Sequence, residues 1–551
     1  MMPPIPPQPP DAASEPRDWS LVLILMVAGL VIFFYRLGVP GLMDPDEGRY
    51  AEIAREFFVL EDWGIPHLNL LPYLEKPPLV YWLTALSFKA LGYTETAARL
   101  PSALSALGGM FLAYRLGRAF WGPGPGVLAA LVLASAAGYA ALGRILTLDM
   151  TFALFLNLGI GLGYLALSRG RERLWPWAYL SLALAVLAKG PVALVLAGLA
   201  WVIWVLVNRR SGATLIQVRC WVALAVITLP WFVYVQWRYP EFFRFFILEQ
   251  HLGRFLTPAI HPEPLWYYLP VLLGLLLPWT WLLPWTLAAR DIWRDPDHRF
   301  LVIWAAVIVV FFSLSRGKLA PYILPALLPL ALLVGHGLAR LTGVGRMSFT
   351  SRWLQTSLLV WGLTGVILVG LSLWPPAPLV KAMARSNLSV TYLLAVSLVY
   401  ALTPLAALIW RHPGALLLGA LLLSALVPRG IDQVSLGRSF KNMGLALKPR
   451  WQPGAALVGV LVYSQGLSFY SGQTFHLLGA RTELDFGQRL APEKGLRLAD
   501  REPLPAFTAA KPVTFFFLKV DDLSWLAEGL PGNFRRLASH KDCILSIYEG
   551  K

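Results

Sequence analysis

Thirteen apolar runs of near-membrane length constrain this chain more than any other feature of its sequence. They occupy residues 21–35, 100–120, 127–142, 150–167, 177–187, 192–207, 221–237, 266–287, 301–314, 320–338, 354–374, 392–410 and 415–427. A helix needs about 20 residues to cross a bilayer, so several of these runs are short. Because 57% of the residues are hydrophobic and only 14% are charged, the sequence predicts a polytopic α-helical membrane protein with about 13 transmembrane helices.

The loops between these runs indicate which side of the membrane each one faces. With the N-terminus placed in the cytoplasm, arginine recurs on every inside connection, as the positive-inside rule requires. These arginines are Arg115, Arg118, Arg169, Arg171, Arg173, Arg209, Arg210, Arg219, Arg290, Arg294, Arg299, Arg340, Arg346, Arg352 and Arg411. The net charge of +16 is therefore a topology signal, and we expect no nucleic-acid partner. The odd number of runs places the C-terminus outside.

Composition divides the chain into two parts. Residues 1–428 form the predicted transmembrane domain, with long outer loops at 38–96 and 239–264. Residues 429–551 read as a small α/β domain on the outer side, with strands at 456–463, 513–520 and 543–548 and helices at 468–475 and 521–527. This second domain has no glycine-rich phosphate motif and no metal-spacing set of Cys and His, so we assign it no chemistry.

The first outer loop opens with an acidic stretch after the first apolar run. Asp44 is a predicted helix N-cap, Pro45 suits the first helical position, and Glu47 stands three residues after the cap. Spacing places Asp46, Arg49 and Tyr50 on one helix face. The stretch is either a capped interfacial helix with local ion pairs or a catalytic element. Acids beside a membrane span favour the second interpretation, with Asp46 and Glu47 as catalytic candidates and Arg49 and Tyr50 as substrate-binding residues.

Two further outer segments add candidates. In the segment 73–82, two prolines stiffen the chain after Lys76, so the lysine ammonium is positioned to bind a phosphate beside Tyr73. The alternative is a snorkelling lysine paired with Glu75. In the short turn 143–150, Asp149 either caps the next helix or forms a catalytic pair with Asp46 on the same side.

The remaining outer segments contain possible metal and anion ligands. His251 and His261, with Glu75 as a third ligand, could bind a divalent metal ion, although hydrogen bonding to a substrate phosphate explains the same residues. Arg254, which lies between the two histidines, is a further candidate for substrate binding. The tight turn 313–322 carries a basic pair that includes Lys318, followed by Tyr322, and is either an anion site or a solvated basic turn. Together, outer carboxylates and basic turns suggest group transfer from a lipid-linked phosphate.

At these residues the chain resembles the membrane-integral GT-C glycosyltransferases. It is most similar to the undecaprenyl phosphate aminoarabinose:lipid A transferase branch, which is related to protein O-mannosyltransferases. The resemblance rests on five segments in order, at residues 46–53, 75–82, 145–149, 261–268 and 317–325. They are specific for the broad family and less specific for the sugar.

The resemblance implies a bacterial inner-membrane enzyme that works at the periplasmic face. Such an enzyme moves 4-amino-4-deoxy-L-arabinose from undecaprenyl phosphate to lipid A phosphate, which masks negative charge and gives resistance to polymyxin and other cationic peptides. The family's paired acids would fall on Asp46 and Asp149, and its carrier-phosphate lysine on Lys76. Because the acceptor is an ionised phosphate, a general base is hardly required, and the acids could instead bind the ammonium of the sugar.

Two alternatives stay open from the sequence. One is a related GT-C enzyme with another polyprenyl-phosphate sugar or a protein acceptor. The other is a lipid-linked sugar flippase, for which charged or broken helices near the bilayer midplane and an internal repeat are expected. We find no such repeat, and the polar residues cluster at one face. We expect a monomer surrounded by the lipid bilayer.

Overall fold

Long apolar helices form the body of the protein. The computed structural model describes residues 19–209, 212–253, 262–288, 293–342, 351–480, 482–494, 496–498, 500 and 502–549. Within those ranges, seven helices are long and apolar enough to cross a membrane: Leu148–Arg169, Val218–Arg238, Pro296–Leu314, Ala320–Leu341, Arg352–Leu373, Val390–Trp410 and Gly414–Leu436. Two further helical segments, Leu265–Leu275 and Trp279–Ala288, meet at a bend of 106°, and counting them as one span raises the number of spans to eight. The polytopic helical prediction is confirmed, while the number of about 13 spans stays a prediction.

The helices are numbered in chain order. They are α1 (Trp19–Gly29), α2 (Asp46–Leu60), α3 (Leu79–Leu91), α4 (Glu95–Trp121), α5 (Pro123–Ser135), α6 (Ala137–Leu142), α7 (Leu148–Arg169), α8 (Trp175–Lys189), α9 (Val192–Val207), α10 (Val218–Arg238), α11 (Tyr268–Leu275), α12 (Leu283–Ala288), α13 (Pro296–Leu314), α14 (Leu327–Thr342), α15 (Arg352–Leu373), α16 (Ala377–Ser386), α17 (Val390–Trp410), α18 (Gly414–Leu436), α19 (Lys441–Leu447), α20 (Gln465–Ser471), α21 (Asp485–Leu490), α22 (Leu504–Ala509) and α23 (Leu523–Gly529). A π-helical turn, Leu30–Phe34, continues α1, and a π-helical segment, Arg244–Gly253, follows α10.

Small residues let the central helices approach one another closely. A Cβ atom on Gly117 of α4 would lie 2.7 Å from the Cα of Gly126 in α5, and one on Gly335 of α14 would lie 2.4 Å from the backbone nitrogen of Ala129 in α5. Small residues let two helix backbones come into van der Waals contact, whereas larger side chains would hold them apart. Such close contacts stabilise helix association in lipid. These contacts make α4, α5 and α14 a tight core of the bundle.

The predicted outer loop 38–96 is largely helical. It contains α2, a short antiparallel hairpin of β1 (His67–Leu68) and β2 (Leu71–Pro72), and α3. Of the predicted loop 239–264, the structure describes residues 239–253 and 262–264.

The C-terminal domain is built on one mixed sheet. Its strands are β3 (Ala456–Val460), β4 (Phe475–Leu478), β5 (Arg497–Leu498), β6 (Thr514–Lys519), β7 (Asn533–His540) and β8 (Cys543–Glu549). The order is β5-β4-β3-β6-β8-β7, parallel from β5 to β6 and antiparallel across β6, β8 and β7. A small α/β domain is thus confirmed.

The boundaries of that domain differ from the predicted ones. The division between residues 428 and 429 falls inside α18, which continues to Leu436 because Pro428 is accommodated within the helix. The predicted helix 468–475 is shorter and earlier, Gln465–Ser471, and Phe475 begins β4 instead. The two parts touch through α2 and α20, which brings the outer helix against the C-terminal domain.

Candidate active site

The acidic stretch folds as a helix whose first residue is Asp46. Pro45 is the N-cap and makes no side-chain cap, while Asp44 points elsewhere, so the predicted N-cap at Asp44 is wrong. The Asp44 carboxylate instead accepts hydrogen bonds from the Ser464 hydroxyl at 2.6 Å and from the Gly466 N–H at 2.8 Å. The start of α2 is therefore fixed by the C-terminal domain, more than 400 residues along the chain.

Glu47 forms the buried half of an ion pair. Its carboxylate accepts two hydrogen bonds of 2.7 Å from the Arg99 guanidinium, and both side chains are almost fully excluded from solvent, at 1% and 0% exposure. The same carboxylate accepts the N–H groups of Met43 at 3.0 Å and Leu146 at 2.9 Å. With four donors directed at it, Glu47 holds the backbone of two outer segments together. This geometry gives the carboxylate a structural role, and its predicted catalytic role stays a prediction.

Asp46 lies at the opposite side of the helix start and is accessible. Its side chain is 58% exposed, and one of its oxygens is 3.5 Å from the Arg49 guanidinium. Arg49 is further held by Glu483 of the C-terminal domain, whose carboxylate oxygen is 3.1 Å from the arginine Nε. Gln465 also donates to that carboxylate. Sequence reasoning missed Glu483, since no local pattern marks a carboxylate that acts 434 residues away from its partner.

Asp149 faces a lysine that the sequence did not single out. The Lys189 ammonium donates to the Asp149 carboxylate, and it also lies 4.1 Å from the centre of the Tyr322 ring. Lys189 is the last residue of α8, where Gly190 breaks the helix with positive φ before Pro191. That Lys-Gly-Pro interruption between two apolar helices is the only signal by which the sequence could have indicated it.

The two predicted catalytic carboxylates are close enough to interact electrostatically. Desolvation by the surrounding protein raises the pKa of Asp46 although one side of its carboxylate is open to solvent; the Arg49 charge opposes the shift and the Asp149 charge adds to it. Burial likewise raises the pKa of the Tyr50 hydroxyl, with Asp46, Asp149 and Glu75 adding to the effect. The predicted residues Asp46, Asp149, Tyr50 and Glu75 therefore lie within electrostatic range of one another.

Lys76 and Tyr73 lie on the segment between the short hairpin and α3. Tyr73 is 2% exposed, and burial together with the Glu75 carboxylate raises the pKa of its hydroxyl, while Arg49 opposes the rise. Lys76 and Glu75 are both half-buried, followed by the buried Pro77 and Pro78 that precede α3. The predicted stiff segment is present, and the role of Lys76 as a phosphate ligand stays a prediction.

Lys318 is placed differently from its predicted role. It is 4% exposed, and its ammonium donates to the backbone carbonyl of Glu263 at 2.9 Å. A backbone bridge between Pro262 and Gly317 joins the same two segments. Lys318 therefore holds the outer segments together, and it is Lys189 that lies over Tyr322.

The predicted metal site falls mostly outside the described part of the chain. Arg254 and His261 lie outside the described residues, as does the side chain of His251. Among the residues that the structure describes, no group of three or more His, Cys, Asp or Glu side chains is arranged to hold a metal ion. The divalent metal site at Glu75, His251 and His261 stays a prediction.

An apolar cleft opens beside this polar site. It is lined by Val186 of α8, Leu194 of α9, Leu224 and Phe232 of α10, and Phe246 of the following π-helical segment. Val186 stands one helical turn before Lys189, so the cleft and the ammonium share one helix. Such a juxtaposition suits a ligand with a long hydrocarbon chain and an anionic head.

The Asp44 contact gives a testable pH dependence. Burial raises the pKa of Asp44 from its ordinary value of 3.8 to about 7, against the opposing hydrogen bonds from Ser464 and Gly466. Between pH 3.8 and about 7 the Asp44 carboxyl is protonated more fully in the folded protein than in the unfolded chain. The contribution of Asp44 to the free energy of unfolding therefore falls as the pH rises through this range. We expect Asp44→Asn to gain thermal stability relative to wild type as the pH rises from 3.8 to about 7.

Melting temperatures of the two proteins in detergent, measured across that range, test this expectation. Asp521→Asn, a change at an exposed carboxylate of the C-terminal domain, is the matched control. A constant difference between wild type and Asp44→Asn across the range would show that Asp44 does not titrate there.

Outer-face carboxylates, paired cations and an apolar cleft on a bundle of spans are what a glycosyltransferase that uses lipid-linked sugars requires. Residues 75–237 match the family described as dolichyl-phosphate-mannose-protein mannosyltransferase. Similarity in fold extends to the archaeal oligosaccharyltransferase AglB of Archaeoglobus fulgidus, with a TM-score of 0.51 at 12% identity over 96% of this chain and 74% of that one. The class is that of the membrane-integral GT-C glycosyltransferases.

Relatives narrow the class further. Undecaprenyl phosphate-alpha-4-amino-4-deoxy-L-arabinose arabinosyl transferase 1 of Pseudomonas fluorescens is 33% identical over 434 residues, which cover 75% of this chain and 76% of the relative. The Pseudomonas aeruginosa enzyme is 35% identical over 60% of this chain and 61% of its own length. The crystal structure of ArnT from Cupriavidus metallidurans bound to undecaprenyl phosphate gives a TM-score of 0.85 at 26% identity, over 96% of this chain and 98% of that one.

The chain belongs to the family of undecaprenyl phosphate-alpha-4-amino-4-deoxy-L-arabinose arabinosyl transferases. The resemblance drawn from five short segments is thereby confirmed. The likeness in structure covers 96% of the chain and so includes the C-terminal domain.

Proposed function

We propose that the protein transfers 4-amino-4-deoxy-L-arabinose from undecaprenyl phosphate to a phosphate of lipid A, at the periplasmic face of the bacterial inner membrane. Membership of the arabinosyl transferase family supports the donor and the sugar. The observation that carries the proposal is the pair of carboxylates Asp46 and Asp149, each beside a cation and close enough to each other to interact electrostatically.

The reaction balances without a proton transfer. An oxygen of the ionised acceptor phosphate attacks C1 of the sugar, and the bond from C1 to the undecaprenyl phosphate oxygen breaks. The electron pair of that bond leaves with undecaprenyl phosphate, and the product is a glycosyl phosphate diester. Because the nucleophile is already an anion, the site needs no general base and acts by orientation and charge stabilisation.

The cations act on the departing phosphate. Lys76, whose segment is stiffened by the two prolines that follow it, binds the carrier phosphate. Lys189 neutralises the negative charge that develops on that phosphate as it leaves. Lys189 is held by Asp149 and by the Tyr322 ring, so its ammonium is positioned before the substrate arrives. The apolar cleft beside α8 receives the prenyl chain. Preorganised charges of this kind lower the barrier because they need not reorient during the reaction.

The carboxylates act on the sugar. Positive charge develops at C1 as the bond to the carrier phosphate breaks, and a carboxylate nearby stabilises it. The sugar also bears an ammonium group, which a carboxylate binds as an ion pair. Asp46 is the more accessible of the two and Asp149 is already paired with Lys189, so Asp46 takes the sugar and Asp149 orients the lysine.

The proposal is tested in polymyxin-sensitive cells that lack their own transferase but make the donor lipid. Expression of this protein is expected to add aminoarabinose to lipid A, as seen by mass spectrometry, and to restore polymyxin resistance. Asp149→Asn at matched membrane expression is expected to lose the addition. Unmodified lipid A in the presence of the wild-type protein and donor would contradict the proposal and favour another sugar, a protein acceptor or a flippase.

A further inference from the structure

A basic, amphipathic helix lies beside the candidate site on the outer side. Helix α16 directs Met383 inward at 8% exposure, with the half-buried Leu379 one turn before it, while Lys381 and Arg385 are exposed on its other face. Val380 on the same helix and Trp374 just before it are 48% and 78% exposed. A short helix with this pattern lies in the headgroup region of a membrane, where its cations attract anionic lipids.

Contacts to the C-terminal domain place α16 on the same side as Asp46. The Lys541 ammonium, at the tip of the hairpin between β7 and β8, donates to the backbone carbonyl of Arg385 at 2.9 Å. Asn387, directly after the helix, donates to the carbonyl of Gln433 near the end of α18 at 3.0 Å. The hairpin tip, the end of α18 and α16 thus form one surface.

The same surface continues to the candidate site through Arg438. A Cβ atom on Gly437 would lie 3.1 Å from the Lys541 Nζ, so the ammonium rests against the backbone next to Arg438. The backbone carbonyl of Arg438 accepts a hydrogen bond of 3.1 Å from the N–H of Asp44, which stands two residues before Asp46. The Arg438 side chain is exposed. Its charge is close enough to oppose the rise in the pKa of Asp46.

Ion pairing separates the cations of this surface from their neighbours. Arg36 pairs with Asp432 at 2.7 Å and Lys441 pairs with Glu95 at 2.6 Å. Within the described part of the chain, no carboxylate lies within ion-pair distance of Arg438, Lys381 or Arg385. A row of cations that the protein does not neutralise is complementary to an anionic ligand.

We infer that Arg438 binds a phosphate of the acceptor lipid, and that Lys381, Arg385 and Lys541 form the cationic surface along which that lipid's headgroup reaches it. This inference rests on the proposed function, since it deepens the assignment of a phosphate-bearing lipid as acceptor. The guanidinium offers a planar pair of N–H donors that matches phosphate geometry, which an ammonium does not. When the acceptor lipid carries two phosphates, Arg438 binds one of them and the other phosphate faces the sugar.

The inference is tested with purified protein in nanodiscs, with saturating donor and varied amounts of lipid A. Arg438→Ala is expected to raise the KM for lipid A about tenfold or more, the cost of one charge-assisted contact, and to leave the KM for the donor unchanged. Arg438→Lys is expected to restore part of the loss. Arg115→Ala, an exposed arginine about 30 Å further along α4 from its outer end, is the matched control and should behave as wild type.

The double variant Lys381→Ala/Arg385→Ala separates the surface from the phosphate ligand. It is expected to raise the KM for lipid A several-fold. That KM should also depend less on salt concentration than the wild-type KM does, because the electrostatic attraction that salt screens has been removed. An unchanged KM for lipid A in Arg438→Ala, or an equal rise in both KM values, would overturn the inference.

Binding without turnover distinguishes this inference from the proposed function. At the same lipid A concentration and without donor, lipid A is expected to raise the melting temperature of wild type more than that of Arg438→Ala, with melting of the lipid-free proteins showing that both fold. If wild type transfers no sugar to lipid A, the proposed function fails. Equal stabilisation of the two proteins by lipid A overturns the assignment of Arg438 whatever the activity.

Discussion

Replacement of Asp46 by asparagine is expected to lower kcat for sugar transfer by at least about 100-fold, the usual loss when one preorganised electrostatic group is removed. The amide keeps the size of the side chain and removes the negative charge that faces the sugar. Because the carboxylate is 58% exposed and makes only a 3.5 Å contact to Arg49, the fold should be preserved. Initial rates with purified protein, donor and lipid A measure the effect.

The matched control is Glu61→Gln, which changes an exposed carboxylate at the far end of the same helix. It is expected to leave kcat unaltered. If Asp46→Asn retains more than about a tenth of the wild-type rate with an unchanged melting temperature, Asp46 does not stabilise the transition state, and Asp149 becomes the principal acid.

Replacement of Glu47 by glutamine is expected to destabilise the protein by about 3–5 kcal/mol, the usual cost of leaving one charge of a buried pair without its partner. Arg99 would stay buried at 0% exposure with no counter-charge, and the N–H groups of Met43 and Leu146 would lose a charged acceptor. A large fall in melting temperature and in membrane yield is the expected measurement. Glu549→Gln breaks the exposed pair with Arg535 and should have little effect, as surface pairs do.

A loss of activity without a loss of stability would support a catalytic role for Glu47. If Glu47→Gln folds with an unchanged melting temperature and loses sugar transfer, the carboxylate acts on the substrate and its structural role here is wrong.

The sequence predicted the helical body of the protein because apolar composition alone determines which segments enter a membrane. Each of the thirteen predicted runs falls on a helix or on a pair of helices. The 106° bend between Leu275 and Trp279 was not predicted, since periodicity and hydropathy do not register a change of direction. Strands β4 and β5 were missed because segments of four and two residues carry weak patterns. Strand β7 was missed because its eight residues, at the edge of the sheet, are mostly polar or exposed and show no clear apolar alternation.

The site was predicted less completely because its geometry depends on distant pairs. Local spacing found Asp46 and Arg49, which are one helical turn apart. It did not find Arg99, the partner of Glu47 at a separation of 52 residues, and it missed Glu483, the partner of Arg49 at a separation of 434. Lys189 looked like an ordinary basic helix end, and only its position over Tyr322 and beside Asp149 gives it a role.

The most direct measurement of the central claim is the stoichiometry of the reaction with purified protein in nanodiscs. Undecaprenyl phosphate-linked aminoarabinose and lipid A are supplied, and mass spectrometry counts the undecaprenyl phosphate released and the lipid A modified. One undecaprenyl phosphate for each added sugar, with no product from Asp46→Asn, is the predicted result. Release of undecaprenyl phosphate without modified lipid A, or movement of intact donor between leaflets without release, would contradict the account.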